Sequence, residues 1–76
     1  MPKLVPRPTN RVLKALERAG WSLRATSPGG GHHILVHPNF PGIVAVPRHP
    51  MTRKKTLGKI IKQAGLTLPE FEKLFR

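Results

Sequence analysis

The 76 residues leave room for one domain built on one small core, which excludes a two-domain enzyme with a wide interdomain cleft. Fourteen Lys and Arg against three Glu give a formal charge of +11, and that imbalance points to a polyanionic partner: nucleic acid, an acidic protein or an anionic membrane. The chain has no cysteine, so disulfides, thiolate zinc sites and a Cys nucleophile are excluded. No apolar run approaches the length of a membrane span, and Met1-Pro2-Lys3-Leu4-Val5-Pro6 lacks the apolar stretch of a signal peptide. A soluble cytoplasmic protein without membrane attachment is expected, with residues 1–76 forming a single domain.

Residues 1–8, with Pro2, Pro6 and Pro8, read as an extended lead-in. Thr9 or Asn10 offers an N-cap oxygen to a helix that runs to Ala19 and is stopped by Gly20. At about 100° per residue, Val12, Leu13, Leu16 and Ala19 share one stripe. Arg11, Lys14 and Arg18 lie opposite, either as a solvated back or as a surface for phosphates. The alternation in residues 21–26 predicts a half-buried strand opened by Trp21, whose indole suits a core position better than a base-stacking platform. Residues 27–31, Ser-Pro-Gly-Gly-Gly, must turn. Residues 32–37 form a second strand ended by Pro38, and residues 39–42 read as a tight connection. Residues 43–46 form a third strand ending at Pro47, and the short links favour an antiparallel meander. A basic loop over residues 47–55 follows. Thr56 is placed as the cap of a second helix, with Leu57, Ile60, Ile61 and Ala64 on its apolar face and Lys59 and Lys62 pointing away, ended by Gly65. Thr67-Leu68-Pro69-Glu70 is a capping box that starts a short helix bearing Phe71, Leu74 and Phe75. The fold class is therefore α+β: helix, three-stranded antiparallel sheet and helix, with the helices on one face of the sheet, and a short C-terminal helix.

Charge is unevenly spread. Residues 1–65 carry twelve basic side chains and one carboxylate, Glu17, which is the whole of the +11. Between Arg18 and Pro69 there is no carboxylate. A paired-carboxylate glycosidase, a two-metal nuclease and a His-His-carboxylate iron site are all excluded, and any nuclease built here works without an acidic base. Three histidines lie within residues 32–37. On a strand His32 and His33 point to opposite faces, and only His33 and His37 share a side, a poor metal set without Cys or Asp. The glycines before His32 let a bulky phosphodiester approach a strand-edge imidazole, and histidine is the side chain that exchanges a proton near pH 7. Arg24, Arg48 and the run Arg53-Lys54-Lys55 can stabilise added negative charge on a reacting phosphate. From the residues alone, an RNA-cleaving histidine site and a nucleic-acid binder with an incidental histidine both stand. Few aromatics favour recognition by shape and phosphate over base stacking, and no helix-turn-helix supports a DNA-binding regulator.

Gly30-Gly31-His32-His33, then His37-Pro38, Val46-Pro47-Arg48-His49, and Lys62-Gln63-Ala64-Gly65-Leu66-Thr67 together resemble the HicA (YcfA-like) toxin family over about residues 8–75. The resemblance implies a fold like that of double-stranded-RNA-binding domains. It also implies a metal-independent endoribonuclease, an mRNA interferase that blocks translation, neutralised by a HicB-like antitoxin. The family's single catalytic histidine follows a Gly-small pair at the start of the second strand. That pattern falls on His32, with His33 as the fallback because some relatives shift the glycine turn by one residue. Gly31 stands where Ser is most frequent, and Lys55-Thr56 stands where Gly-Thr is frequent. The expected RNA-binding groups are Arg24, Gly30, Gly31, Arg48, Arg53, Lys54, Lys55, Lys59 and Lys62, with no metal and no cofactor. The charge requires an acidic face on the antitoxin, since burying so many cations against a neutral surface would leave them unpaired. A non-catalytic RNA-binding protein of the same fold is the alternative, and only activity separates the two.

Overall fold

The computed structural model describes residues 4–26 and 31–75. In chain order the elements are β1 (Arg7–Pro8), α1 (Thr9–Arg18), β2 (Ser22–Thr26), β3 (His32–His37), β4 (Phe40–Pro47), β5 (Met51–Thr52), α2 (Lys54–Gln63) and α3 (Leu68–Lys73). Strands β2, β3 and β4 form an antiparallel meander with β3 in the centre. The fold is the expected α+β arrangement, and both long helices lie on one face of the sheet.

Alternation on the strands decides which side chains meet those helices. Leu35, Val44 and Val46 point inward and are fully buried against Val12, Ala15 and Leu16 of α1 and Leu57, Ile60 and Ile61 of α2. His32, Ile34 and Val36 point the other way, across from Pro47, Ala45 and Ile43, and that face has no helix over it. Trp21 lies just before β2 and is 2% exposed, the core position expected for it. Both helix stops behave as the sequence predicts: Gly20 (φ +99°) and Gly65 (φ +71°) take the left-handed conformation that a side chain disfavours.

Three boundaries differ from the sequence reading. The residue before α1 is Pro8, and Thr9 is its first helical residue. The Thr9 side chain makes no cap bond but is buried and shares a 2.9 Å hydrogen bond with the Thr52 hydroxyl. Helix α2 begins at Lys54 after an extended Arg53, so Thr56 lies inside the helix instead of capping it. Strand β4 begins at Phe40, and the turn shrinks to Pro38-Asn39. Pro41 fits there because β4 is an edge strand, where a missing N–H leaves no ladder bond unmade.

One pairing has no counterpart in the sequence reading. Arg7 and Pro8 of the lead-in align antiparallel with Thr52 and Met51, so the chain entering α1 is stitched to the loop entering α2.

The back of α1 is exposed, and two of its three cations also bond the segment after α3. Arg11 and Arg18 donate to the carbonyls of Phe75 (3.3 Å) and Leu74 (2.6 Å), tethering the last turn of the chain. Arg7 lies 4.9 Å from the Phe75 ring centroid and donates to both carboxylate oxygens of Glu72 at 2.7 Å. Several of the cations thus serve the fold itself. The capping box at α3 forms as expected, with Thr67 N–H donating to Glu70 at 2.8 Å and Glu70 N–H to the Thr67 hydroxyl at 3.3 Å. The Thr67 backbone N–H, and after it the Thr67 hydroxyl, hold the Glu70 carboxyl below its ordinary range.

Candidate nucleic-acid interface

The four histidines separate into different environments. His37 is consumed by the fold. Its Nδ1 accepts the Asn39 N–H at 3.0 Å, so Nε2 carries the proton and donates to the Ala19 carbonyl at 3.1 Å. Its ring meets Trp21 and Phe40 edge-on, with centroids 5.3 and 4.8 Å away. The ring plugs the end of α1, and it stands so close to Gly20 that a Cβ there would fall 2.5 Å from Nε2.

His32 opens β3 on the open face, exposed and paired with Pro47. His33 points to the helix-covered face, half-buried, with Nδ1 3.3 Å from the Thr26 hydroxyl across the β2–β3 pair. His49 lies in the loop after β4 and is exposed.

This end of the sheet is held by backbone bonds. Arg48 N–H donates to the Gly31 carbonyl at 3.1 Å, extending the β3–β4 ladder by one rung beyond the strands, and Thr9 N–H donates to the Pro50 carbonyl at 3.0 Å. The loop between β4 and α2 is therefore pinned to both the strand that bears His32 and the start of α1. Two open grooves flank it. One, of about 560 Å³, runs between Pro47, His49, Met51, Arg53 and Thr56. The other, of about 480 Å³, lies between Asn10, Leu13, His33, Arg48 and His49. His49 and Pro50 form the wall common to both.

The expected site residues fall into two groups. Gly31, His32, His33, Arg48 and Arg53 gather at this end of the sheet, and Lys54 and Lys55 stand exposed in the adjoining first turn of α2. Arg24 lies on edge strand β2 at the irregularity between Leu23 and Ala25, and Lys59 and Lys62 lie farther along α2. These three line neither groove, and nor do Gly31, His32, Lys54 and Lys55; of the expected site residues the grooves take in His33, Arg48 and Arg53. Gly30 lies outside the described residues. Sequence reasoning assigns no catalytic or binding role to His49 or Asn10, although it weighs Asn10 as an N-cap and His49 closes the Val46-Pro47-Arg48-His49 tetrapeptide.

No carboxylate lines either groove. Glu72 is engaged by Arg7 and Glu70 by Thr67, while Glu17 stands exposed on α1. The grooves therefore present guanidinium groups and imidazoles with no anionic side chain among them, which suits a polyphosphate chain. Among the described residues no three His, Cys, Asp or Glu come together to hold a metal ion, and no helix is long and apolar enough to cross a membrane.

Comparison with known proteins agrees with this chemistry. The family described as the HicA toxin of bacterial toxin-antitoxin matches residues 9–66, from the first residue of α1 to just past α2. No curated protein matches the chain.

Proposed function

The chain belongs to the HicA toxin family, whose members are generally linked to mRNA cleavage and pair with HicB antitoxins, and from that premise we propose that it is a metal-independent endoribonuclease acting on mRNA in the cytoplasm. The observation that carries this reading is the end of the sheet where β3 begins and β4 ends. The imidazoles of His33 and His49 and the guanidinium groups of Arg48 and Arg53 line two open grooves there with no carboxylate beside them, and His32 opens β3 at the same end of the sheet on its other face.

In this reaction His32 takes the proton of a ribose 2′-hydroxyl as that oxygen attacks the adjacent phosphorus, with His33 as the alternative base. Arg48 and Arg53 offset the charge that builds on the phosphate oxygens. Lys54, Lys55, Lys59 and Lys62 hold the strand as it leaves along α2, and Arg24 and the backbone of Gly31 meet it on the other side. No protein cofactor enters. The cognate antitoxin presents an acidic face over this end of the sheet, because only anions compensate the cations it buries.

The test is cleavage of a defined single-stranded RNA by purified protein, with end-group analysis, beside growth on expression. Wild type should yield 2′,3′-cyclic phosphate or 3′-phosphate ends and arrest growth. His32→Ala should bind RNA but neither cleave nor arrest, and DNA of the same sequence should survive. Activity retained in H32A and lost in His33→Ala would transfer the role to His33. A wild-type chain that binds RNA without cutting it would make this a binding protein.

A further inference from the structure

An in-line displacement at phosphorus has two ends. The attacking 2′-oxygen loses a proton on one side while the departing 5′-oxygen needs one on the opposite side, so an imidazole placed to serve the first does not reach the second. A proton donor for the leaving oxygen must come from elsewhere on the chain, and the described residues narrow the choice. All three carboxylates stand outside the grooves. Among the described residues neither groove is lined by a lysine, nor by His32, which opens β3 on the other face; the β3 imidazole that shares a groove with His49 is His33. Arginine does not release its proton in proteins, so Arg48 and Arg53 supply charge only. His37 is held by Ala19 and Asn39 beneath Trp21. His49 is the histidine left outside β3, and it stands where the two grooves meet. It follows Pro47, the cross-strand partner of His32, by two residues. The Arg48–Gly31 backbone bond holds that segment of loop against the first residues of β3.

We infer that His49 is a second catalytic residue, the group that protonates the leaving 5′-oxygen; this rests on the endoribonuclease reading above. In the step, the O2′–P bond forms and the P–O5′ bond breaks. The 2′-hydroxyl proton passes to the β3 imidazole, and a proton from His49 passes to O5′. The products are a 2′,3′-cyclic phosphate and a free 5′-hydroxyl, and each imidazole returns to its starting state by exchange with water. Arg48, beside His49 in the same groove wall, neutralises the phosphate between them.

The discriminating substrate is a single-stranded RNA whose scissile 5′-oxygen is replaced by sulfur, since a thiolate leaves without being protonated. On ordinary RNA, His49→Ala and His49→Gln should slow single-turnover cleavage by about 10²–10⁴-fold, the usual contribution of a proton-transfer group. On the 5′-thio substrate the same variants should come within about tenfold of wild type, while His32→Ala (or His33→Ala, if that is the base) stays slow on both. Thermal unfolding of each variant checks that the fold is retained. Equal losses of H49A and H49Q on both substrates would overturn the assignment and leave His49 a binding or positioning residue, and full activity on ordinary RNA would overturn it outright. A wild-type chain that cleaves neither substrate would instead refute the endoribonuclease reading itself.

Discussion

Replacing Gly20 by Ala should cost far more than a surface glycine normally does, and most of the excess should vanish when His37 is also removed. Gly20 sits at φ +99°, where an L side chain costs about 1–2 kcal/mol. The added Cβ would also lie 2.5 Å from His37 Nε2, closer than any Cβ sits, so the imidazole must give up its place. That place includes the bond to Ala19, the bond from Asn39 and the edge-on packing against Trp21 and Phe40. Each hydrogen bond contributes about 0.5–1.5 kcal/mol net and each ring pair about 0.5 kcal/mol or more, which makes the seat of His37 worth about 2–3 kcal/mol. Gly20→Ala should therefore lose about 3–5 kcal/mol, His37→Ala about 2–3 kcal/mol, and the double variant little more than Gly20→Ala alone. That coupling of about 2 kcal/mol is large beside the 4–11 kcal/mol or so expected for a domain of this size. Urea unfolding followed by the fluorescence of Trp21, the one tryptophan, reads all four proteins because its ring lies in the cluster being perturbed. Effects that add to within about 0.5 kcal/mol would refute the claim that the His37 ring is the obstacle. His37→Ala should also keep its RNA cleavage wherever it is folded, which separates a structural histidine from those proposed to react.

Breaking the fork between Arg7 and Glu72 with Glu72→Gln should lower stability by about 1–2 kcal/mol, more than an exposed pair gives because two charged bonds are weakened at half-buried groups; an unchanged urea midpoint would contradict this. Glu70 has a folded pKa below its ordinary 4.5, so its stabilisation is full above that value and is lost as pH falls through the lower folded one. The stability gap between wild type and Glu70→Ala should accordingly be widest near neutrality and shrink below pH 4.5, and a gap that grew on acidification would show the sign to be wrong. Excess EDTA should leave RNA cleavage intact, because no carboxylate reaches the grooves; loss on chelation with recovery in magnesium would overturn the metal-free mechanism. Neutralising Arg48, Arg53, Lys54 and Lys55 together should flatten the dependence of log K for single-stranded RNA on log[salt] by about 0.7 for each phosphate no longer neutralised, and by more than neutralising Lys59 and Lys62. An unaltered slope would move the binding surface elsewhere.

Short-range chemistry explains most of what is legible in the sequence. Gly20 and Gly65 stop helices because they take positive φ, Thr67 and Glu70 form a capping box within four residues, and alternation along β3 separates His33 from His32. Each of these signals is contained in a few adjacent residues. The rest is long-range or ambiguous in kind. The pairing of Arg7-Pro8 with Met51-Thr52 leaves no periodicity, since two residues do not make a pattern, and Pro8 argues locally against a strand. Pro41-Gly42 imitates a turn and is tolerated in β4 only because that strand is an edge, a property of the sheet and not of the segment. Thr56 resembles a cap by type, yet the extended Arg53 starts the helix earlier. At the candidate site the histidines and cations are legible by type. That Arg48 is bonded back to Gly31 before β3 and His49 stands between the grooves, while His32, Arg24 and the lysines of α2 line neither, depends on how the sheet and loop close.

The doubly pinned loop between β4 and α2 has a consequence for the thermodynamics of the proposed RNA binding. A cationic loop free in solution would have to be ordered before it could grip a phosphate, and the entropy lost in ordering would be subtracted from its affinity. Here Pro47 and Pro50 already restrict the backbone, and Gly31, through Arg48, and Thr9, through Pro50 and Thr52, hold it from two directions. Most of the freedom that binding would remove has been removed by folding. In the proposed encounter with RNA the loop backbone is already ordered, so the protein's share of the ordering penalty is confined to the exposed side chains of Arg48, His49 and Arg53 and the rest falls on the strand.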